Sequence, residues 1–471
     1  MNVSAHRAFS FLRTYGYERV SCSKEERTVA EALLNECTSL GVSAQLEEFT
    51  VPCGRVSHAL LRVTSPYVKE YEVTGYERAA STPEGGLDTE FLYVENADEV
   101  LLEQAKGKIV LVNGYLNRAT YEKLRKAEAA AILTFTGRTI DRESESDLNR
   151  CKLRETLTEP FGAVPVLNMR AASAAEIVRR GAKTVHIELT GECYDGTSQN
   201  VGDGFIQTEG EPGGLHKANP IILGSFGGHY DSVYFSSGVH DNLSGSVIVL
   251  ELLRYFAAHP PRRTLRFCWF GSEEQGLLGS KAYVKAHADE LKDCVAMLNF
   301  DVAAPALGSN HLVTLATDDA LHYVAGVLRE AGYGVRAKQD TYSSDCIPFA
   351  DNGVPAINLA RFGANGADYM HNRHDSLKSG YLDEHALDIT LQQGFLLLDR
   401  ARRPTAASGK SPPKSARRWM NTCSRQRRSN PPDDRTFRAD SQRTAASGQS
   451  ALRDAGVPVR AQSGRAVSAA H

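Results

Sequence analysis

Long apolar runs are what this chain of 471 residues most clearly lacks. No segment reaches the ~20 consecutive apolar residues that a membrane-spanning helix needs. The opening residues, MNVSAHRAFSFLRTYGYERV, also lack the uninterrupted apolar stretch of a secretory signal peptide. We therefore expect a soluble protein that has no membrane partner and is cytoplasmic, with secretion as the alternative.

Paired cysteine motifs are missing as well. The nine cysteines are scattered, odd in number and without a CxxC sequence. Disulfide frameworks of small secreted domains use even numbers of cysteines, and many redox and zinc motifs use CxxC. The cysteines are therefore expected to be reduced thiols.

A strong overall charge is also absent, since the formal net charge is only −3. From Ala401 to the end, however, 13 Arg and 2 Lys stand against 4 Asp, which leaves residues 1–400 with an excess of acidic side chains. An acidic body suits cation binding and suits solubility equally well. Nucleic acid is not expected as a partner, because only the tail carries the basic charge that such binding would need.

The tail, residues 401–471, shows no hydrophobic periodicity and repeats the sequence TAASG. A segment rich in Arg, Ser, Pro and Ala cannot bury enough apolar surface to offset its chain entropy. It is predicted to be disordered.

Short apolar strands alternate with helices between residues 196 and 400. The strands, such as TLRFCWF, AMLNF and VPAINLA, are apolar through most of their length, as a sheet covered on both faces requires. This alternation predicts an α/β fold with a doubly wound, mostly parallel mixed sheet and helices on both faces. Ligands of such sheets bind beyond the carboxyl ends of the strands.

A second, smaller pattern of strands and helices occupies residues 58–195. It includes the strand GKIVLVNG, a helix running into a strand in TYEKLRKAEAAAILTFTG, and the helix SAAEIVRRGA. We predict a self-contained α/β unit here, inserted between an N-terminal part of the larger domain, residues 1–57, and the part from 196 onward. No titratable side chains converge in it, which favours a binding or lid function over chemistry.

Histidines and acids follow the predicted strands of the larger domain. They are His229, Asp241, Glu273, Glu274, Asp301 and His371. Taken singly, each has an ordinary explanation, such as a loop histidine, an acid near a helix N-terminus, or a Glu-Glu pair on a solvated surface. Taken together, two imidazoles and three carboxylates suit a pair of zinc ions about 3.5–4 Å apart, with one glutamate left over as a base.

The motifs GGHYDS, GVHDNLSG, FGSEEQGLLGSKAYV, LNFD and HNRHDS resemble, in order and spacing, those of the two-zinc aminopeptidases of metallopeptidase family twenty-eight. The segment 58–195 is similar to the protease-associated (PA) domain that many members insert. The resemblance covers about residues 5–395. It implies a zinc-exopeptidase fold with a PA-like insert, two Zn²⁺ (Co²⁺ or Mn²⁺ being possible), peptide substrates, and hydrolysis of N-terminal residues.

The resemblance also implies a role for each side chain. The implied metal ligands are His229 and Asp301 for one zinc, Glu274 and His371 for the other, and Asp241 as the bridge. Glu273 would be the general base, and Asp231 would orient the imidazole of His229. A non-proline cis peptide is implied between Asp241 and Asn242, while His240 is expected to be a bystander.

The chain departs from the family pattern in two places. Cys346 stands in SDCIPF where many members have a histidine, and is expected to pack rather than to bind metal. Met370 stands where some relatives have an oxyanion-stabilising tyrosine, and Tyr369 lies one residue earlier, so no such tyrosine is assigned. His374 is a rival to His371, which the family spacing to Asp375 favours.

Three other functions stay open at this stage. A glutaminyl cyclase of the same fold would use one zinc, and the complete ligand set argues against it. A non-enzymatic binding relative would have lost ligands, and here none is lost. A glutamate-carboxypeptidase-like enzyme would need basic residues to read a free carboxylate, and Arg361 and Arg373 lie near the last ligand.

Overall fold

The computed structural model describes residues 2–114, 116–140, 146–206, 225–261, 264–342, 344–364, 366 and 370–402. The helices are α1 Ala5–Tyr15, α2 Lys24–Ser39, α3 Glu99–Leu102, α4 Arg118–Lys126, α5 Glu155–Phe161, α6 Ala171–Arg179, α7 Ser244–Ala258, α8 Leu278–Ala286, α9 Asp318–Glu330, α10 Cys346–Asp351 and α11 Glu384–Arg402. The strands are β1 Gln45–Ser65, β2 Lys69–Tyr71, β3 Val73–Gly75, β4 Leu87–Tyr93, β5 Ile109–Leu111, β6 Ala131–Thr136, β7 Val166–Arg170, β8 Thr184–Ile206, β9 Ser225–His229, β10 Leu265–Phe270, β11 Met297–Phe300, β12 Gly308–Leu315, β13 Val335–Gln339 and β14 Ala356–Gly363.

The first half of the sheet has the order β13-β12-β14-β11-β9-β10-β8. Its centre is parallel, because β9 pairs in parallel with both β10 and β11, and β11 pairs in parallel with β14. The pairs β12–β14 and β8–β10 are antiparallel. The predicted mostly parallel mixed sheet is confirmed.

Helices cover both faces of this half. Side chains of a strand alternate between the two faces, and those of β10 enter two different apolar clusters. Phe267 and Trp269 pack in the cluster that contains helices α1, α7 and α11. Cys268 and Phe270 pack in the cluster of α8 and α10. The two layers of helices that the sequence predicts are therefore present.

Helix α2 shows how closely the local sequence determines an element. Its N-cap Ser23 accepts a hydrogen bond from the backbone N–H of Glu26 at 3.0 Å. Val29 and Leu33 are buried on one face, and Gly41 follows the helix with φ +70°, a conformation that favours glycine. The start and the end of this helix therefore follow from its own sequence.

The second half of the sheet lies in the smaller unit, in the order β8-β4-β5-β6-β7-β3. Strands β4 to β7 run parallel. Apolar clusters again lie on both faces, since Val110 packs in one and Ile109 and Leu111 in the other. This unit is called the insert below.

A long antiparallel ribbon of β1 and β8 joins the two halves. Its register extends from Gln45 opposite Gly202 to Ser65 opposite Thr184. The sequence-predicted boundaries, 57/58 and 195/196, fall inside these two strands. The division into domains stays a prediction.

The predicted disordered tail and the predicted absence of a membrane-spanning helix remain to be compared with the structure. Residues 403–471, nearly all of the predicted disordered tail, lie outside the described residues, as do residues 207–224 before β9. Among the described residues, no helix is both long enough and apolar enough to cross a bilayer.

Candidate metal centre

The sequence-predicted ligands meet at the carboxyl ends of the central parallel strands. His229 is the last residue of β9, Glu273 and Glu274 follow β10, and Asp301 follows β11. Because β9 lies between β10 and β11 in the sheet, these three strand ends are neighbours. Asp241 comes from the turn before α7.

Asp241 stands between the two histidines. Its Oδ1 lies 3.1 Å from Nε2 of His229, and its Oδ2 lies 3.0 Å from Nε2 of His371. The side chain of Asp241 is buried, whereas that of His371 is 55% exposed. The arrangement places His371 at the mouth of the site and His229 at its floor.

The remaining carboxylates complete two groups. On the floor, Nε2 of His229 lies 3.8 Å from both Asp301 Oδ1 and Glu273 Oε2. At the mouth, Nε2 of His371 lies 3.1 Å from Glu274 Oε2. Ligand atoms of His229, Asp241 and Glu274 all lie within 4.8 Å of one another. All six side chains are thus brought together.

Asp231 connects the ends of β9 and β10. Its Oδ1 accepts the backbone N–H of Glu273 at 3.0 Å, and its Oδ2 accepts that of Glu274 at 3.2 Å. The same Oδ1 lies 3.3 Å from Nδ1 of His229. One buried carboxylate therefore fixes both glutamates and faces the imidazole that precedes it in the HxD sequence.

The backbone around Asp241 is unusual. The peptide bond between Asp241 and Asn242 is cis, as the family resemblance implies. The side chain of Asn242 makes two hydrogen bonds. Its Nδ2 donates to the carbonyl oxygen of Phe300 at 2.8 Å, and its Oδ1 accepts the backbone N–H of Gly245 at 3.0 Å. Asn242 thereby attaches the turn to β11 and to the first residues of α7.

The site contains buried polar atoms that have no hydrogen-bond partner among the described residues. They include Oε1 of Glu274 and Oδ1 of Asp301. Buried carboxylate oxygens are costly unless they are paired with a donor or a cation. A group of unpartnered acidic oxygens around two imidazoles is the donor set that divalent metal ions take.

The pKa shifts of these groups also favour a site for bound cations. Burial raises the pKa of Glu273 and of Asp301 well above the usual range, and neighbouring carboxylates add to the effect. Glu274 raises the pKa of His371, despite its partial desolvation. Too many negative charges share this small volume, and bound cations would relieve their repulsion.

Several residues near the site carry no signal that sequence reasoning could use. Arg19 is fully buried and donates to the carbonyl oxygens of Tyr230, Ser237 and Gly238 at 2.7, 2.7 and 2.8 Å. Burial lowers its pKa to about 10. An arginine in the N-terminal segment thus holds the loop between His229 and Asp241.

Two more groups lie beside the carboxylates. Asp345 is buried, and burial raises its pKa to about 6. Burial also raises the pKa of Tyr342 well above its ordinary value, with a further rise from Asp301 and the other site carboxylates. Its phenol, like an ordinary tyrosine, is protonated at neutral pH and can donate a hydrogen bond.

The structure also places the residues that the sequence analysis did not assign as metal ligands. Nδ1 of His240 donates to the carbonyl oxygen of Ala303 at 2.7 Å, and Cys346 packs with its sulfur 3.7 Å from that of Met297. His371, the histidine favoured over His374, makes the contacts to Asp241 and Glu274. Tyr369 lies outside the described residues.

Comparison with known proteins identifies the family. Residues 214–392 match the profile of Peptidase family M28. The part of the chain that carries the site therefore belongs to this family. Membership makes it a hydrolase, and the match includes all six side chains of the site.

The chain is also similar to curated relatives and to solved structures over more than half of its length. It is 26% identical over 409 residues to aminopeptidase YwaD of Bacillus subtilis (strain 168), covering 84% of this chain and 82% of the relative. It is 26% identical over 282 residues to carboxypeptidase Q of Mus musculus, covering 57% and 58%. The structure of BSAP, a zinc aminopeptidase from Bacillus subtilis, matches with a TM-score of 0.70 and 22% identity, over 88% of this chain and 98% of that one. This match confirms the fold.

Proposed function

We propose that this M28 peptidase is a two-zinc aminopeptidase that hydrolyses N-terminal residues from peptides. The observation that carries the proposal is the position of Asp241, whose two oxygens face a different histidine each, at 3.1 and 3.0 Å. A carboxylate shared in this way is what a bridge between two metal ions requires.

The proposed ligands divide as the sequence motifs imply. His229 and Asp301 would hold one zinc and Glu274 and His371 the other, with Asp241 bridging. The unpartnered buried oxygens of Glu274 and Asp301 support this division. Bound there, the zinc pair would polarise the scissile carbonyl and make a water molecule acidic enough to act as nucleophile near neutral pH. Co²⁺ or Mn²⁺ suits the same ligands.

Glu273 would be the general base. Its Oε2 lies 3.8 Å from the floor imidazole of His229, and its backbone is fixed through Asp231, so its carboxylate faces the site while the neighbouring Glu274 serves as ligand. Glu273 would accept a proton from the attacking water and later donate it to the leaving amine, which completes the proton transfer within one side chain.

Charge favours an N-terminus over a C-terminus as the recognised end. Two divalent cations would be balanced by the carboxylates of Asp241, Glu273, Glu274 and Asp301. Asp231 and Asp345 add two further negative charges, of which the buried guanidinium of Arg19 offsets one. The remaining negative charge attracts an α-ammonium group and repels an α-carboxylate. Aminopeptidase YwaD is a relative over most of the chain.

The two arginines that could read a C-terminal carboxylate are engaged elsewhere. Arg361 is buried and donates to the carbonyl oxygen of Pro305 and to Oδ1 of Asn310, both at 3.0 Å. Arg373 forms an ion pair with Asp147. This disfavours a carboxypeptidase, the activity in the name of the relative from Mus musculus.

Three substrates and a metal analysis test the proposal. We expect about two zinc ions per chain, hydrolysis of an aminoacyl anilide with a free amine, and no hydrolysis of an N-blocked peptide with a free C-terminus. Cleavage of the blocked peptide instead would indicate a carboxypeptidase. Conversion of an N-terminal glutaminyl peptide to its cyclic form, with one zinc bound, would indicate a cyclase. No metal and no turnover would indicate a binding protein.

A further inference from the structure

The loop that carries His371 is attached to the insert. The backbone N–H of Arg373 donates to Oδ2 of Asp147 at 3.0 Å, and its guanidinium forms an ion pair with the same carboxylate. A guanidinium N–H of Arg373 also donates to the carbonyl oxygen of Ser146 at 3.2 Å. Arg373 lies two residues after His371, and 226 residues separate it from Asp147.

The insert holds its side of this contact firmly. The carbonyl oxygen of Ser146 accepts a second hydrogen bond from Nε of Arg170, the last residue of β7, at 3.3 Å. Three residues on, the carbonyl oxygen of Asn149 accepts hydrogen bonds from Thr74 in β3 at 2.7 Å and from Asn168 in β7 at 3.2 Å. Asp147 is therefore presented from a segment fixed to two strands.

Burial makes the contact specific. The side chain of Asp147 is 6% exposed, and that of Arg373 is 41% exposed. A carboxylate so nearly buried must be paired, and a guanidinium with a backbone N–H beside it supplies several donors in fixed directions. The geometry therefore sets the position of Arg373 relative to the insert.

His371 is the ligand that most needs such support. It is 55% exposed, and its φ of 61° lies in the left-handed region, which is uncommon for residues other than glycine. On the side toward the sheet, the loop is held by Asp375, whose buried carboxylate accepts the N–H groups of His240 and Asp241. On the side toward the insert, it is held by Arg373.

We propose that Asp147 is a positioning residue for the metal ligand His371 and acts through Arg373. The inference rests on the proposed function, in which His371 binds a metal ion. It makes the insert a structural part of the metal site at the mouth of the crevice. The segment 58–195, predicted from sequence to serve as a binding or lid unit, then also determines how one ligand is held.

Removing the carboxylate of Asp147 should weaken one metal site and spare the other. Without it, the loop loses its ion pair to the insert, and His371 must be ordered when metal binds. Loss of such outer contacts typically costs 10–100-fold in metal affinity. His229 and Asp301 are held by the ends of β9 and β11 rather than by this loop, so their site should keep its affinity.

The test is a cobalt titration of the metal-free full chain, followed by the visible absorption of bound Co²⁺. The wild type should bind two equivalents tightly. Asp147→Asn should bind the first equivalent as the wild type does and the second about 10–100-fold more weakly. Glu155→Gln is the control for the loss of an ion pair in the insert, because it removes the partner of Arg78, in a pair whose glutamate is 45% exposed, and it should bind both equivalents normally.

Arg373→Gln removes the same ion pair by replacing the arginine. If Asp147→Asn does not fold, the cobalt titration of Arg373→Gln tests the positioning role instead. Circular dichroism and the apparent Tm of each variant separate a local effect on metal binding from unfolding. Two equally tight equivalents in a folded Asp147→Asn or Arg373→Gln variant would refute the positioning role alone. A wild type that binds no cobalt would refute the proposed function itself.

Discussion

The carboxylate of Asp375 accepts a hydrogen bond from the backbone N–H of Asp241 at 2.9 Å, although 134 residues separate the two. Its other oxygen accepts the N–H of His240 at 2.7 Å. Asp375 is fully buried, and burial raises its pKa to about 7. The proposed bridging ligand is therefore held by a residue of the loop that also carries His371.

Asp375→Asn is expected to weaken metal binding and to destabilise the fold. The amide has one oxygen where the carboxylate has two, so one of the backbone N–H groups loses its acceptor. An unsatisfied buried donor costs about 1–3 kcal/mol. Thermal unfolding together with zinc competition by a chromophoric chelator would measure both effects. An unchanged zinc affinity would show that Asp241 keeps its position without this support.

Glu273→Gln is expected to lower kcat by about 10²–10⁴-fold, because glutamine cannot accept the proton of the attacking water. The metals should remain bound, since Glu273 is the carboxylate left over after the ligands are assigned. Steady-state kinetics with an aminoacyl anilide and zinc analysis of the same sample provide the measurement. Full activity in this variant would exclude Glu273 as the base.

Asp241→Ala is expected to lose both metals, because both proposed sites share this carboxylate. Asp301→Ala serves as the comparison, since it removes a ligand from one site and should reduce the zinc content by about half. Elemental analysis after dialysis distinguishes the two results. Retention of one tightly bound zinc by Asp241→Ala would contradict the bridging role.

Chelation of metal from the wild type is expected to lower the apparent Tm. Bound metal stabilises the folded state by mass action, by about 2.7 kcal/mol at a concentration of 100 times Kd, and its removal leaves buried carboxylates that repel one another. Scanning calorimetry with and without chelator measures the shift, and added zinc should reverse it. Asp241→Ala should show no such shift, and an equal shift in that variant would mean that the metal acts elsewhere.

The fold and the set of candidate site residues could be predicted because both depend on local sequence. Strands such as β10 are short apolar runs, and each acid or histidine of the site follows a strand or precedes a helix. Once the strands are taken as parallel, their carboxyl ends must lie at one edge of the sheet. The positions of His229, Glu273 and Asp301 follow from that.

The supporting contacts could not be predicted, because they join distant parts of the chain without a pattern. Nothing in the sequence around Arg19 indicates that its guanidinium donates to carbonyl oxygens of residues 230–238. The sequence likewise does not indicate that Asp147 and Arg373 form a pair, since a single acid and a single arginine are common on protein surfaces. The sequence indicates Asp375 only through its spacing of four residues from His371. Its hydrogen bonds depend on the three-dimensional path of the loop and could not be predicted.

The β1–β8 ribbon has a consequence for motion. Its strands contain 21 and 23 residues and pass between the two halves as continuous backbone, so the insert cannot swing about a flexible linker. Any displacement of the insert must bend paired strands elastically. That bending would be transmitted to β10, because Trp269 of β10 pairs with Val201 of β8. Trp269 lies four residues before Glu273 in the chain.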